Sequence, residues 1–372
     1  MNRASIKDVA RLAGCSTGTV SLALRHSERI KAATRERVLK AAAQLNYRPN
    51  LSASRLSSKR SQIVGIILLP LLQDEGLQML YGITEQLQAR KFRSLIEFTG
   101  MSFEREVAAA RRLIEEGVDG VLVNSAVIAQ EPTHLIELQQ HGIPVVLMDL
   151  LAPGVDCSYG GIRNESGAFE IVRHPIDVGH RRIACVGRLF TRDTKKSRRA
   201  GYFRALTESG LAIDEDLVLD GVCVSLSAYI LDGDNTSDWQ QRPIEAQVQS
   251  ALDDTEEKFL KVLTHVLALD DPPTAFFTVD SGALLSLLAG LTKLGVRVPE
   301  DVSVVTFEGI PYLPSLGVRV STVAIPAYQI GYGASRLLIE QIEGVAPDEM
   351  RSIQIEPEIL YGNSVAPPPG NR

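Results

Sequence analysis

Residues 14–18, Gly-Cys-Ser-Thr-Gly, match the GxSxG pattern that presents a nucleophilic serine in many hydrolases. That chemistry requires a strand before the serine and a helix after it, so that the hydroxyl stands at the top of a sheet. Here helical periodicity precedes the motif, and Gly14 is of the residue type that ends helices. We therefore interpret Ser16 as the N-cap of a second helix and predict no catalytic residue.

Other residues that could do chemistry are scattered. The four cysteines are Cys15, Cys157, Cys185 and Cys223. They form no CxxC pair, and the chain has no GxxxxGK[ST], HExxH or GxGxxG pattern. We expect no metal, no cofactor and no enzymatic activity. Because the first residues lack an apolar signal and no apolar run reaches about 20 residues, we expect a cytoplasmic protein without a membrane partner.

The sequence separates into a basic head and an acidic body. Residues 1–60 contain thirteen Lys and Arg but three Asp and Glu, a net charge of +10, whereas the remaining residues carry −16. Clustered positive charge attracts a polyanion such as nucleic acid, and an acidic body opposes nonspecific adhesion to it. A length of 372 residues also predicts more than one domain.

The head has the periodicity of short helices. Helical spacing predicts helices over 6–13, 17–24 and about 32–45. Two helices joined by a three-residue turn that contains glycine, with a third to complete the core, predict a helix-turn-helix domain over 1–50. The Ser-, Lys- and Arg-rich segment 51–61 is expected to be a linker that becomes a hinge helix when a partner stabilises it.

The body alternates apolar runs with helical stretches. The strand-like runs cover 63–69, 94–98, 119–123, 143–149, 182–187, 217–224, 274–279, 302–307 and 320–325. Such runs between helices are typical of parallel sheet buried on both faces, which fits two doubly wound sheets or an eightfold barrel. The polar segment 232–243, with Trp239, is expected to be a surface insertion, and 362–372 a disordered tail.

Two head segments, SIKDVARLAGCSTGTVSLALR (5–25) and TRERVLKAAAQLNYRPN (34–50), resemble the DNA-binding head of the LacI/GalR family of bacterial transcription regulators. The resemblance continues through GIPVVLMD (142–149), GHRRIACVG (179–187), RRAGYFRAL (198–206), DPPTAFFTVD (271–280), LGVRVPEDVSVVTFEGIP (294–311) and STVAIPAYQIG (321–331). It implies an α/β fold, in which an all-α helix-turn-helix head precedes a periplasmic-binding-protein-like core of two doubly wound parallel-sheet subdomains. The implied N-subdomain covers 62–160 and 323–345, and the implied C-subdomain covers 161–320 and 351–361.

The resemblance also implies DNA-binding residues. In the family, the second head helix enters the major groove, and the two heads of a homodimer read a pseudo-palindromic operator in double-stranded DNA. Thr17, Gly18 and Leu22 would lie nearest the base edges, where Gly18 reads nothing and Leu22 contacts only apolar surface. The other residues carried over are Ser16, Thr19, Ser21, Arg25, Arg29 and Asn50. Arg55-Leu56 matches the hinge-helix wedge that enters the minor groove and bends the DNA.

The effector-binding residues carry over in part. Arg198 matches the arginine that holds polar effector groups, and Asp149 and Asp280 match acidic positions at strand ends. Glu308 stands where relatives usually have Asp.

Three departures from the family pattern affect this effector site. The loop 70–77 lacks the Asn-Pro-aromatic pattern, Val279 replaces a usual Asn, and Pro175 should kink or end a helix. Either the effector is not an ordinary sugar, or the segment 232–243 lends a contact.

These observations predict a sequence-specific DNA-binding transcriptional regulator, expected to be a repressor, whose operator affinity is modulated by a small-molecule effector bound between two core subdomains. A homodimer is expected. The identity of the effector, whether it acts as an inducer or a co-repressor, and whether dimers form tetramers stay open. The alternative is a small-molecule binding protein without specific DNA readout, and the +10 head argues against it.

Overall fold

The chain divides into two units, Met1–Ser61 and Gln62–Arg372. The computed structural model describes residues 4–24, 27, 29–47, 60–69, 74–99, 102–125, 131–152, 154–187, 193–220, 257–345 and 350–370. The insertion 232–243 and most of the hinge segment lie outside the described residues.

The head consists of three described helices, Ile6–Ala13, Thr17–Leu24 and Ala32–Gln44, as the periodicity predicts. Each helix contributes a fully buried valine, Val9, Val20 or Val38, to one small core. Gly14 ends the first helix at a φ of +62°, a left-handed conformation that glycine adopts without steric cost. This turn directs the chain into the second helix after two residues.

Two six-stranded sheets form the centre of the second unit. The first has the order β11-β5-β4-β3-β1-β2, with β1 Ile63–Leu68, β2 Arg93–Phe98, β3 Gly120–Val123, β4 Val145–Met148, β5 Ser158–Ile162 and β11 Ser352–Ile355. The second has the order β12-β10-β9-β8-β6-β7, with β6 Ile183–Gly187, β7 Val218–Asp220, β8 Ala275–Thr278, β9 Ser303–Phe307, β10 Ser321–Ala324 and β12 Glu358–Leu360. The pairing of β10 with β12 is antiparallel and the others are parallel. The predicted α/β fold class is confirmed, and the eightfold barrel is wrong.

Helices connect and cover the strands. Those described in this unit are Asp74–Ala89, Phe103–Glu115, Thr133–Gln140, Asn164–Val178, Asp193–Glu208, 257–267, Ser281–Lys293 and Ala327–Glu343. The helices Asp74–Ala89 and Ala327–Glu343 cross at glycines. A Cβ at Gly82 would overlap the main-chain oxygen of Tyr328, and a Cβ at Gly331 would overlap that of Met79. Only glycine allows this close approach.

The two sheets divide the chain differently from the expected subdomains. The expected boundary after residue 160 falls inside β5, which extends to Ile162 in the first sheet. The first subdomain was expected to resume at residue 323, but β10, Ser321–Ala324, lies in the second sheet. β11 pairs with β5 in the first sheet, whereas the expected boundaries placed all of 351–361 in the second subdomain. Only β12 joins the second sheet. Pro357 lies between these two short strands, and a proline has no N–H with which to continue a ladder.

The described part of the C-terminal tail, 362–370, is ordered along the second sheet, so its expected disorder is wrong. Ser364 is buried, and its hydroxyl donates to the Val304 carbonyl oxygen at 2.6 Å. The Ala366 carbonyl oxygen accepts a hydrogen bond from Nε2 of His180 at 2.8 Å. The tail is held because it satisfies polar groups beside the sheet, which composition alone does not reveal.

Two local expectations are also corrected. Pro175 does not end its helix, which continues to Val178 and stops at the left-handed Gly179. Pro175 has no N–H to donate to the Ile171 carbonyl oxygen, so the helix lacks one hydrogen bond there and yet continues for three more residues. The segment expected as a loop at 70–77 is helical from Asp74 onward. Among the described helices, none is both long and apolar enough to cross a bilayer.

Candidate DNA-binding helix and effector cluster

The second head helix presents a face of polar and small residues. Ser16, Thr17, Gly18 and Leu22 are exposed, and Thr19 and Ser21 are half-buried. Leu22 is 39% exposed, whereas Val20 and Ala23 on the opposite side are fully buried. The leucine is therefore not required by the head core and is available for contact with another molecule.

Ser16 has the geometry of a helix N-cap. Its Oγ accepts a hydrogen bond from the Thr19 N–H at 3.1 Å and shares a second bond with Thr19 Oγ1 at 2.9 Å. Its carbonyl oxygen accepts from the Val20 N–H at 3.0 Å. Among the described residues, the hydroxyl is engaged by its own helix and by no histidine or carboxylate, which a serine nucleophile would need.

Five predicted DNA-binding residues lie outside the helix just described. Arg29 is exposed, and its N–H donates to Ser27 Oγ at 3.4 Å. The other four, Arg25, Asn50, Arg55 and Leu56, lie outside the described residues.

The structure brings all four predicted effector residues together in the second unit. Asp149 directly follows β4 and Glu308 directly follows β9, while Asp280 begins the helix after β8. Arg198 comes from the helix Asp193–Glu208, and the charges of Arg198, Asp280 and Asp149 all act on Glu308. We call these four residues the effector cluster. It lies at the carboxyl ends of strands from both sheets, where open parallel sheets bind ligands.

Arg198 is the centre of this cluster and is only 3% exposed. Its Nε donates to Asn164 Oδ1 at 2.8 Å. Its Nη1 donates to the Val279 carbonyl oxygen at 2.7 Å and to Glu308 Oε1 at 2.6 Å. The guanidinium carbon lies 4.0 Å from the centroid of the Phe307 ring. These contacts fix both the position and the plane of the guanidinium.

The carboxyl groups of the cluster are held under electrostatic and backbone constraint. Burial raises the pKa of Glu308 above its usual range; Arg198 opposes this shift, and Asp280 and Asp149 add to it. Asp149 and Glu308 have φ values of +59° and +66°, which non-glycine residues rarely adopt. Such strain, of about 1–3 kcal/mol per residue, is typical of ligand sites. One oxygen of Asp280 caps its helix by accepting from the Ala283 N–H at 2.8 Å.

Sequence reasoning missed the residues that support the cluster. Asn164 is buried at the start of its helix and accepts a hydrogen bond from Arg198. The Arg198 guanidinium lies over the Phe307 ring. The hydroxyl of Tyr159 donates to the Asp149 carbonyl oxygen at 2.9 Å, and burial raises the pKa of this tyrosine. The available signal was that Phe307 ends β9 and that Asn164 begins the helix after β5, whereas Tyr159 lies within β5 and gave no such signal. Val279 also contributes, since its main-chain oxygen holds Arg198 although its side chain has no polar atom.

A buried polar network adjoins the end of β3. Asn124 donates from Nδ2 to the Met148 carbonyl oxygen at 3.4 Å, next to Asp149, and its buried Oδ1 has no hydrogen-bond partner within the described structure. Ser125 donates to Glu106 Oε1 at 2.7 Å, and the same oxygen lies 2.8 Å from His134 Nε2. This network fixes the strand end beside the effector cluster.

Across the described ranges, no three or more His, Cys, Asp or Glu residues are arranged as a metal site.

Comparison with known protein families covers both units of the chain. The model "Bacterial regulatory proteins, lacI family" matches residues 5–50, and "Periplasmic binding proteins and sugar binding domain of LacI family" matches 75–223. "Periplasmic binding protein-like domain" matches 172–365, more than half of the chain. The chain belongs to the LacI family. Its predicted class, a DNA-binding transcriptional regulator with a small-molecule-binding core, is thereby confirmed.

Individual relatives of this LacI-family chain agree along its whole length. It is 28% identical to an "HTH-type transcriptional repressor PurR" of Vibrio campbellii over 362 residues, 97% of this chain and 98% of the relative. It is similar to a structure titled "transcriptional regulator CelR-cellobiose complex", with 25% identity, a TM-score of 0.65 and coverage of 97% and 100%. A lac repressor dimer bound to operator and an anti-inducer shares the fold, with 21% identity, a TM-score of 0.74 and coverage of 98% and 100%. These relatives are named as regulators and repressors rather than as enzymes.

Proposed function

We propose that this LacI-family chain is a homodimeric transcriptional repressor that binds a pseudo-palindromic operator and responds to a small molecule at the effector cluster. The observation that carries the proposal is the exposed polar face of the Ser16-capped helix, in a head with a net charge of +10. A binding protein without DNA readout has no need of such a head. The chain would act in the cytoplasm, where the chromosome is, and without catalysing a reaction.

Sequence readout is assigned to the second head helix. Thr17, Gly18 and Leu22 are exposed together at its start and along one face, which suits contact with base edges. Leu22 offers apolar contact to a thymine methyl group, and Gly18 allows close approach of the backbone. The hydroxyls of Ser16, Thr19 and Ser21 would donate to phosphates, which position the head without reading sequence.

Further DNA contacts are assigned to basic residues and the hinge. Arg29 and Arg25 would pair with phosphates, and Asn50 would hold the chain beside the backbone. Arg55-Leu56 would insert into the minor groove at the centre of the operator, where unstacking a base step bends the DNA. Bending would be easiest at a flexible central step, so the operator is expected to contain one.

The effector cluster supplies both donors and acceptors for a small polar ligand. Arg198 offers Nη2, which donates to none of the described residues, while Asp149, Asp280 and Glu308 offer carboxylate oxygens. A ligand with several hydroxyl or amino groups fits this set, and the cellobiose-bound CelR relative has such a ligand. Since the cluster joins strand ends of both sheets, its occupancy would change how the subdomains meet, and effector and operator affinities would be coupled reciprocally.

Selection of genomic fragments tests this proposal. Purified full-length chain is mixed with fragmented DNA of the host at near-physiological salt, which suppresses nonspecific phosphate binding. We expect enrichment of a pseudo-palindrome with a flexible central step. No enrichment, both with and without added small metabolites, would contradict specific readout and favour the binding-protein alternative.

A further inference from the structure

The positive charge of Arg198 is already paired within the chain. Nη1 of Arg198 lies 2.6 Å from Oε1 of Glu308, in an ion pair whose side chains are 3% and 17% exposed. Charge-assisted hydrogen bonds of this length in a poorly solvated site are strong. A ligand that approaches Arg198 therefore meets a guanidinium whose charge is compensated by a neighbouring carboxylate.

Two further carboxyl groups lie near this ion pair. Asp149 and Asp280 are close enough to Glu308 to act on its ionisation. Asp149 and Glu308 each stand directly after a strand with left-handed backbone, which fixes where their side chains leave the main chain. An anionic ligand would have to compete with Glu308 for Arg198.

Within the part of the chain that the structure describes, Arg198 keeps one donor position open. Nε and Nη1 are engaged by Asn164, Val279 and Glu308, while Nη2 donates to none of the described residues. A neutral acceptor such as a hydroxyl oxygen can use this position without displacing Glu308. An amino or hydroxyl group beside it can donate to the carboxylates.

We propose that Glu308 is an internal anion that fills the charge site of Arg198, so that the cluster rejects anionic effectors and selects neutral or cationic ligands with hydroxyl or amino donors. This inference rests on the proposed function and names the class of its effector. Glu308 thus acts as a specificity-determining residue.

Rescue of a shortened side chain by acetate tests this role directly. The full chain is unfolded by heat in sodium acetate and in sodium chloride of equal ionic strength. For Glu308→Ala, acetate can occupy the vacated place beside Arg198, and we expect a saturable rise in the melting temperature on the order of 2 °C at ten times the Kd. Glu308→Gly should respond in the same way, and glycine accepts the local φ of +66° without strain.

The matched control removes an acid elsewhere. Glu257 pairs with Lys261 at 2.7 Å, and both side chains are 73% exposed, so Glu257→Ala changes the net charge equally without opening a buried arginine. The wild-type chain and Glu257→Ala should show no preference for acetate over chloride. An acetate response in wild type equal to that of the Glu308 variants, or no response in either variant, would overturn the proposal.

A second arm examines the effector class itself. The wild-type chain is titrated with D-glucuronate and D-glucosamine, which carry opposite charges on the same sugar frame. Tighter binding of glucuronate would overturn the inference. Operator binding is measured in the same samples, because its absence would contradict the proposed function while the acetate result still decides the role of Glu308.

Discussion

Replacing Arg198 with methionine should strongly lower the free energy of unfolding of the second unit. The change Arg198→Met keeps much of the apolar stem on the Phe307 ring but removes hydrogen bonds to Asn164, Val279 and Glu308. Glu308 is left as a buried charge beside two aspartates. Breaking one side of a buried ion pair typically costs about 3–5 kcal/mol, and we expect a loss of stability in that range.

Glu308→Gln, which changes the other residue of this ion pair, should leave the stability almost unchanged. The amide oxygen can still accept from Arg198, and the buried negative charge is gone, so stability at neutral pH should stay within about 1 kcal/mol of wild type. In the double variant, the uncompensated carboxylate is absent, but Asn164, Val279 and the amide at position 308 each lack their hydrogen bond to Arg198. At about 1 kcal/mol for each lost hydrogen bond, we expect a loss of about 3 kcal/mol, at the lower end of the range for Arg198→Met, which also leaves the carboxylate without its counter-ion.

Urea unfolding of the four full-length proteins, followed by circular dichroism, measures these differences. Because the pKa of Glu308 is raised in the folded chain, the folded state holds this proton to higher pH than the unfolded state does. This group's stabilising contribution is present at acidic pH and is lost as pH rises from the usual glutamate range through the raised value. This contribution of Glu308 to the pH dependence of stability should be absent in Glu308→Gln. Equal losses for Arg198→Met and the double variant would refute the reasoning, since the charge of Glu308 would then not matter.

Two further predictions concern helix packing and the head. Gly82→Ala forces a methyl group into the main chain of the facing helix and should cost about 3 kcal/mol or more in urea unfolding. The control Gly333→Ala, whose added Cβ meets two side-chain methyls of Ile353, the nearer at 3.2 Å, should stay within about 1 kcal/mol of wild type. Similar losses in both would contradict the close crossing. Ser16→Ala removes the acceptor of the Thr19 N–H and should lower head stability by about 1 kcal/mol by hydrogen exchange, with Ser21→Ala as the control; an unchanged exchange rate would argue against the cap.

Much of the fold was predictable because its strands are runs of Val, Ile and Leu. All nine predicted runs contain an observed strand, and the three head helices lie where helical spacing placed them. Three observed strands, β5, β11 and β12, lie outside these runs. β5, Ser-Tyr-Gly-Gly-Ile, has two glycines and little apolar periodicity, and it is a strand because it is paired on both sides by β4 and β11. The tail was misjudged for the same reason, since its order depends on partners distant in sequence.

The effector cluster was predictable in identity but not in its internal geometry. Motifs point to Arg198 and Glu308, yet only the structure reveals that they pair with each other and that Asn164 shares the guanidinium. Val279 illustrates the limit. Its side chain suggests a lost contact, while its main-chain oxygen supplies one that no side-chain pattern encodes. Contacts made by the backbone and by residues far apart in sequence are the part that sequence reasoning misses.

The central claim is that operator binding responds to a small molecule, and it can be measured directly. The Kd of the wild-type full chain for its selected operator is determined with and without the small-molecule fraction of host-cell extracts from several growth conditions. Coupling between two sites of this kind is typically about 1–3 kcal/mol, so at least one extract should change the Kd by about fivefold or more. An operator Kd that is the same in every extract would contradict regulation by an effector.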